Sequence, residues 1–343
     1  MSKRDNRSRC GRVALILRVW LAGMLAVSAP VTARAYQEYG VQVGNRVVLL
    51  KWSQAPVRYF IEDRGVPGVA RDQLQAAVDR AFTTWHNVPT AGVSAQFSGY
   101  TSALPFDEDG MTTLGFLDAA DEPDVLGETA YVVDDASGAI VEVDIMFNAT
   151  FPWSVAASGE SGHFDLESIA LHEIGHLWGL GHSDLGITQV TTGGLRVIAK
   201  EAVMFPFVFS PGSISDRTLR ADDIAGISDL YPADGFRAAT GTADGVVTKN
   251  GKGVYGAHVV ACSPTSGTLI GNFTDQDGNF SIAGLPPGPV VLRVEPVDNA
   301  DLESFFDTPS QVDLNFQITY YSRFAVVGAG GGTGLLTIQV AAK

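Results

Sequence analysis

The chain has 343 residues, enough for two domains. Hydrophobic residues make up 45% and charged residues 18%, which permits a buried core and excludes wholesale disorder. A net charge of −15 excludes nucleic acid and anionic membranes as expected partners, because both demand cationic patches.

Residues 1–35 read as a secretory signal peptide, so the mature chain is expected to be extracellular. Lys3, Arg4, Arg7, Arg9, Arg12 and Arg18 form a basic n-region, and Ala33-Arg34-Ala35 is a small-x-small cleavage site. The apolar stretch between them, Val19 to Val27, is well short of the roughly 20 residues that span a bilayer, so stable membrane insertion is not expected. Removing this segment leaves 16 basic and 37 acidic residues, a net charge of −21. It also takes Cys10, leaving Cys262 without an intramolecular disulfide partner. The apolar run Val259-Val260-Ala261-Cys262 suggests a buried, inert thiol.

A strand-like stretch follows from Val47 to Ile61, broken at Pro56. Leu74, Ala77, Val78, Ala81, Phe82 and Trp85 then fall on one stripe of a 3.6-residue period, which predicts an amphipathic helix. Asp72 with Gln75 reads as its capping box. From Val93 to Asn148 the pattern is of strands, with a hairpin turn at 134–138. A second helix is expected from near Asp165, and a third ends at Tyr231-Pro232, where proline cannot continue it. Beyond the small, polar stretch 233–240 only strands are visible, which predicts an α+β or α/β domain followed by an all-β one.

The chemistry concentrates at His172-Glu173-Ile174-Gly175-His176-Leu177-Trp178-Gly179-Leu180-Gly181-His182. Residues i and i+4 of a helix share a face, so His172 and His176 can converge on one metal ion. Gly179 lets the backbone leave the helix and return His182 as a third nitrogen. Three protein ligands leave one tetrahedral position open, the mark of a catalytic zinc, whose bound water has its pKa lowered to about 7. Glu173 stands beside the ligands as the general base.

This stretch resembles the signature of the metzincin clan, and Ala202-Val203-Met204-Phe205-Pro206 is similar to the Met-turn of its matrixin family. The resemblance extends over roughly residues 40–232, through Ser183, Val143 to Phe147 and Leu219 to Tyr231. It implies a twisted mixed sheet with an active-site helix, one catalytic Zn²⁺ on His172, His176 and His182, Met204 beneath the site, and Pro206 at the S1′ wall. It also implies protein or peptide substrates. The chain departs from the family at 148–162, which contains no histidine, so no second zinc is expected. Asp144 matches a position associated with calcium, and Ca²⁺ is left open. Residues 183–202 form a longer connection than in animal matrixins, with a turn at 191–194, so substrate preference is not carried over. Arg9-Cys10-Gly11 echoes the family's cysteine switch but lies in the signal n-region and reads as coincidence.

Residues 241–297 resemble the carboxypeptidase-regulatory or transthyretin-like β-sandwich, on Gly241 to Val247, Gly256 to Val260, Thr274 to Phe280 and Gly284 to Gly288. Asp275 to Asn279 reads as a hairpin turn, since a calcium loop would need a chelating Glu at its twelfth position. His258 has no evident partner and reads as structural. Within residues 301–343, Asp313 to Thr319 and Leu335 to Val340 alternate like strands, separated by the glycine-rich stretch 328–334, and either complete the sandwich or form an additional patch. The expected organisation is thus a signal over 1–35, a metalloprotease domain over 36–235, a β-sandwich over 236–300 and a β tail over 301–343. The expected function is zinc-dependent endopeptidase activity. The alternative is a catalytically silent metal-binding adhesion protein that uses the C-terminal module.

Overall fold

The computed structural model describes residues 13–14, 38–43, 46–134, 137–192, 194–208, 210–299 and 302–343. The expected signal peptide thus lies outside the described residues, apart from Val13–Ala14. Among the described residues no helix is long and apolar enough to cross a membrane.

A hairpin of Gly40–Val43 and Arg46–Leu49 leads into strand β1 (Val57–Glu62) and helix α1 (Arg71–His86). Then come β2 (Ala95–Thr101), β3 (Thr112–Leu117), β4 (Gly127–Val133) and β5 (Ile140–Asn148). They form a five-stranded sheet in the order β2-β1-β3-β5-β4, parallel except for β4, which runs antiparallel along β5. The turn between β4 and β5 is held by Asp134, whose Oδ1 accepts from Ser137 N at 2.8 Å. Helix α2 (Leu166–Leu177) packs with α1 against this sheet, and Leu74, Trp85, Ile145, Phe147, Ile174 and Leu177 share one core.

One detail of the sequence reading is corrected. Helix α1 begins two residues earlier than the Asp72/Gln75 pairing implies, with Ala70 at the cap and Gln73 Oε1 accepting its N–H at 2.9 Å. Gln75 instead donates to Asp79 Oδ2 at 2.8 Å, one turn along the helix. Asp144 spends both carboxylate oxygens on a loop: Oδ1 accepts from Thr113 N at 2.7 Å and Oδ2 from Phe106 N at 2.6 Å. These two bonds pin residues 106–113, and burial pushes the carboxyl up to about 8.

After α2 the chain makes a hairpin of β6 (Gly186–Thr191) and β7 (Gly194–Lys200), then helix α3 (Ala221–Leu230). The second half is a β-sandwich. One sheet contains β8 (Gly241–Lys249), flanked by β11 (Asn279–Leu285) and by β14 (Gly332–Gln339), which runs parallel to it. The other contains β9 (His258–Cys262) between β10 (Leu269–Phe273) and β12 (Gly288–Glu295), with β13 (Ala325–Val327) also on β12. Phe280, Ile282, Leu292, Phe316, Val327 and Ile338 fill the space between the sheets. Residues 319–339 add strands to both sheets. The α+β domain followed by a β-sandwich is the fold class that the sequence predicts.

The two halves are in contact. Leu185 and Ala202 cluster with Val260 and Leu269, and Ala225 of α3 joins the sandwich core. His258 is buried, with its Nδ1 3.8 Å from Asp184 and 3.7 Å from Glu295, beyond hydrogen-bond distance of either. Cys262 is half-buried rather than buried, because it sits at the outer end of β9.

Candidate metal centre

Helix α2 is placed by both its ends. At its start Asp165 accepts from Ser168 N at 3.0 Å, satisfying an otherwise orphaned helix donor. Arg217 grips the same carboxylate with two donors, Nε at 2.9 Å and Nη2 at 2.5 Å. At its end Gly179 has φ +101°, and a side chain there would lie 2.1 Å from the Leu50 carbonyl oxygen. Glycine both permits the turn and admits the neighbouring backbone. Midway, Gly175 leaves room for Met204: a Cβ at 175 would meet the Met204 sulfur at 2.2 Å. The Met-turn itself hangs from α3, where Asp223 accepts from Val203 N at 2.9 Å and Met204 N at 3.0 Å.

His172, His176 and His182 meet at one point, and among the described residues they are the one cluster of three or more side chains suited to a metal ion. His176 Nε2 lies 3.0 Å from His172 Nε2 and 3.2 Å from His182 Nε2. Each Nδ1 faces a backbone carbonyl oxygen, which can only accept. His172 donates to Val203 O at 2.8 Å, His176 to Leu180 O at 2.8 Å, and His182 to Ser304 O at 2.7 Å. The proton of each neutral ring therefore sits on Nδ1, and the short Nε2–Nε2 approaches bring three lone pairs together rather than forming hydrogen bonds. Burial lowers all three imidazole pKa values, that of His182 to about 4, so the rings are neutral at pH 7.

Glu173 is also buried. Its Oε2 accepts from the Thr129 hydroxyl at 2.7 Å, while its Oε1 has no partner. Burial pushes this carboxyl up to about 8, opposed by the Thr129 hydrogen bond and reinforced by the charge of Glu128. The Tyr39 ring lies 5.7 Å from that of His176, and the Tyr131 hydroxyl donates to His176 O. None of these partners carries a sequence signal, since Thr129 and Tyr131 stand 44 and 45 positions from the residues they serve.

The donor set fits a zinc ion. Three nitrogens about 2.0–2.1 Å from one tetrahedral ion lie roughly 3.3 Å apart, close to the spacing seen. Three converging lone pairs repel unless a cation draws them together, and neutral imidazole is the form that ligates. A profile of the matrixin family matches residues 51–232. The chain belongs to the matrixins.

Similar proteins include Metalloendoproteinase 2-MMP of Arabidopsis thaliana, 29% identical over 168 residues, which are 48% of this chain and 38% of that one. Metalloendoproteinase 1 of Glycine max is 32% identical over 174 residues, 47% of this chain and 46% of its own. Matrix metalloproteinase-16 of Homo sapiens is 26% identical over 202 residues, 53% of this chain and 27% of its own. The chain thus spans less than half the length of each.

Proposed function

We propose that this matrixin is an exported, zinc-dependent endopeptidase acting on protein or peptide substrates, with its catalytic domain over 36–235 and the sandwich module behind it. The observation that carries this reading is the pairing of three converging Nε2 lone pairs with a buried carboxylate oxygen that lacks a donor. His172, His176 and His182 would hold the ion, and Met204 would support them from below. Bound there, zinc supplies Lewis-acid polarisation of the scissile carbonyl and an activated water. Glu173, with Oε1 free of a donor, accepts the proton of the attacking water and returns it to the leaving amine. Thr129 steers the carboxylate by holding Oε2, which leaves Oε1 for the water.

The test is caseinolytic activity of the mature protein, with a chelator control. Glu173→Ala is expected to lower the rate by about 10²–10⁴-fold while zinc stoichiometry is unchanged. Full activity in that variant would remove Glu173 from the mechanism. A zinc-loaded parent that cleaves no protein or peptide would instead favour a silent, binding role.

A further inference from the structure

The three histidines do not draw their Nδ1 acceptors from one part of the molecule. Val203 and Leu180 belong to the matrixin domain, but Ser304 lies 122 positions beyond His182, on the connection between β12 and β13 of the module. That segment is built to hold its place. Leu302–Ser304 form a 3₁₀ turn, and Leu302 O accepts from Phe305 N at 3.1 Å and Phe306 N at 3.0 Å. Phe305 and Phe306 are buried, their rings 5.3 and 5.0 Å from that of Phe273 in β10, and Phe305 also lies edge-on to His182 at 6.3 Å.

Strand β10 is itself tied to the metal centre. Asp222 accepts from Gly271 N with Oδ1 at 2.8 Å and from the Ser183 hydroxyl with Oδ2 at 2.6 Å. Ser183 directly follows His182. A closed circuit therefore runs from His182 through Ser183, Asp222, Gly271, Phe273 and Phe305 back to His182. Nearby, Arg196 of β7 pairs with Asp298 and donates to Asn299 at 2.6 Å, which joins the extra hairpin to the same stretch of the module.

We propose that the backbone carbonyl of Ser304, presented by the C-terminal module, is a positioning element of the metal centre that fixes the tautomer and orientation of His182. Metal affinity and module docking are then one coupled equilibrium, by the reciprocity of linkage. This rests on reading the three imidazoles as zinc ligands. The physical ground is that a neutral imidazole without an Nδ1 acceptor can move its proton to Nε2 or turn, and either change removes the ligating lone pair. A module that was only a tethered accessory would leave this acceptor to the matrixin domain, as it is for His172 and His176.

The test is zinc affinity of the full mature chain, measured by competition with a chromophoric chelator, with the absorption of the cobalt(II) form as a second readout. Replacing the amide between Ser304 and Phe305 by an ester weakens the Ser304 carbonyl as an acceptor and leaves every side chain in place. An ester between Phe305 and Phe306 is the control. Each ester removes one hydrogen bond to Leu302 O, but only the first alters the Ser304 carbonyl. The first is expected to weaken zinc about 10–100-fold, the range for loss of an outer partner, and to shift the cobalt(II) bands, with the second close to the parent. Phe305→Ala, which unpins the same carbonyl, is expected to act in the same direction. Equal zinc affinity for the two esters would overturn the proposal. Because the comparison needs no substrate, a parent that binds zinc but cleaves nothing would defeat the peptidase reading, while a difference between the esters would still support the coupling.

Discussion

Glu173 is stabilised by one contact and destabilised by its surroundings, and the balance makes a pH signature. Burial raises its carboxyl from the ordinary 4.5 to about 8 in the metal-free protein. Between those values the folded chain keeps a proton that the unfolded chain has released. Stability from this group is therefore full below pH 4.5 and is lost as pH rises through 8. The three imidazoles shift the opposite way, but they are common to parent and variant and cancel in a difference. Denaturant titrations of metal-free parent and Glu173→Gln should show the parent losing ground to the variant from pH 4.5 to 8. A difference that does not change with pH would mean that the carboxyl is hydrated.

For the elements, the decisive piece is α2, held by a cap, a glycine exit and a sulfur-filled notch. Asp165→Ala would remove the cap, worth about 1 kcal/mol, and leave the largely buried Arg217 without its fork partner. A loss of roughly 3 kcal/mol is expected in chemical denaturation, since breaking a buried pair costs more than a surface one. An effect below about 1 kcal/mol would mean that α2 is positioned by core packing alone. Much of this element was legible in the sequence. The spacing of His172, Glu173, His176 and His182 encodes helix, exit and convergence, because those depend on residues a few positions apart. The stripe of α1 was legible for the same reason, although its cap was read two residues late. Thr129, Tyr39 and Ser304 were not, since they reach the site through strand pairing and module docking, which local periodicity does not record. The charged surroundings of His258 escaped for that reason too: Asp184 and Glu295 come from opposite halves of the chain.

Across the whole molecule, the halves meet through the α3–β10 contact, the extra hairpin and the metal centre itself. A ligand that binds only the folded state stabilises it by about 2.7 kcal/mol at a hundredfold excess over its Kd. Chelation of the mature protein should therefore lower the melting temperature of the sandwich together with that of the matrixin domain, seen as one calorimetric transition. A sandwich transition indifferent to chelator would show the halves to be independent. One feature of the sandwich also sets an order of events in synthesis. Strand β8 is flanked by β14, so one of the sheets waits on residues 332–339. A nascent chain that has already produced all three histidines still lacks the carbonyl that locks the third. On the coupling proposed above, a nascent chain that stops short of residue 304 is a poor zinc acceptor, so loading of the metal follows synthesis of the module.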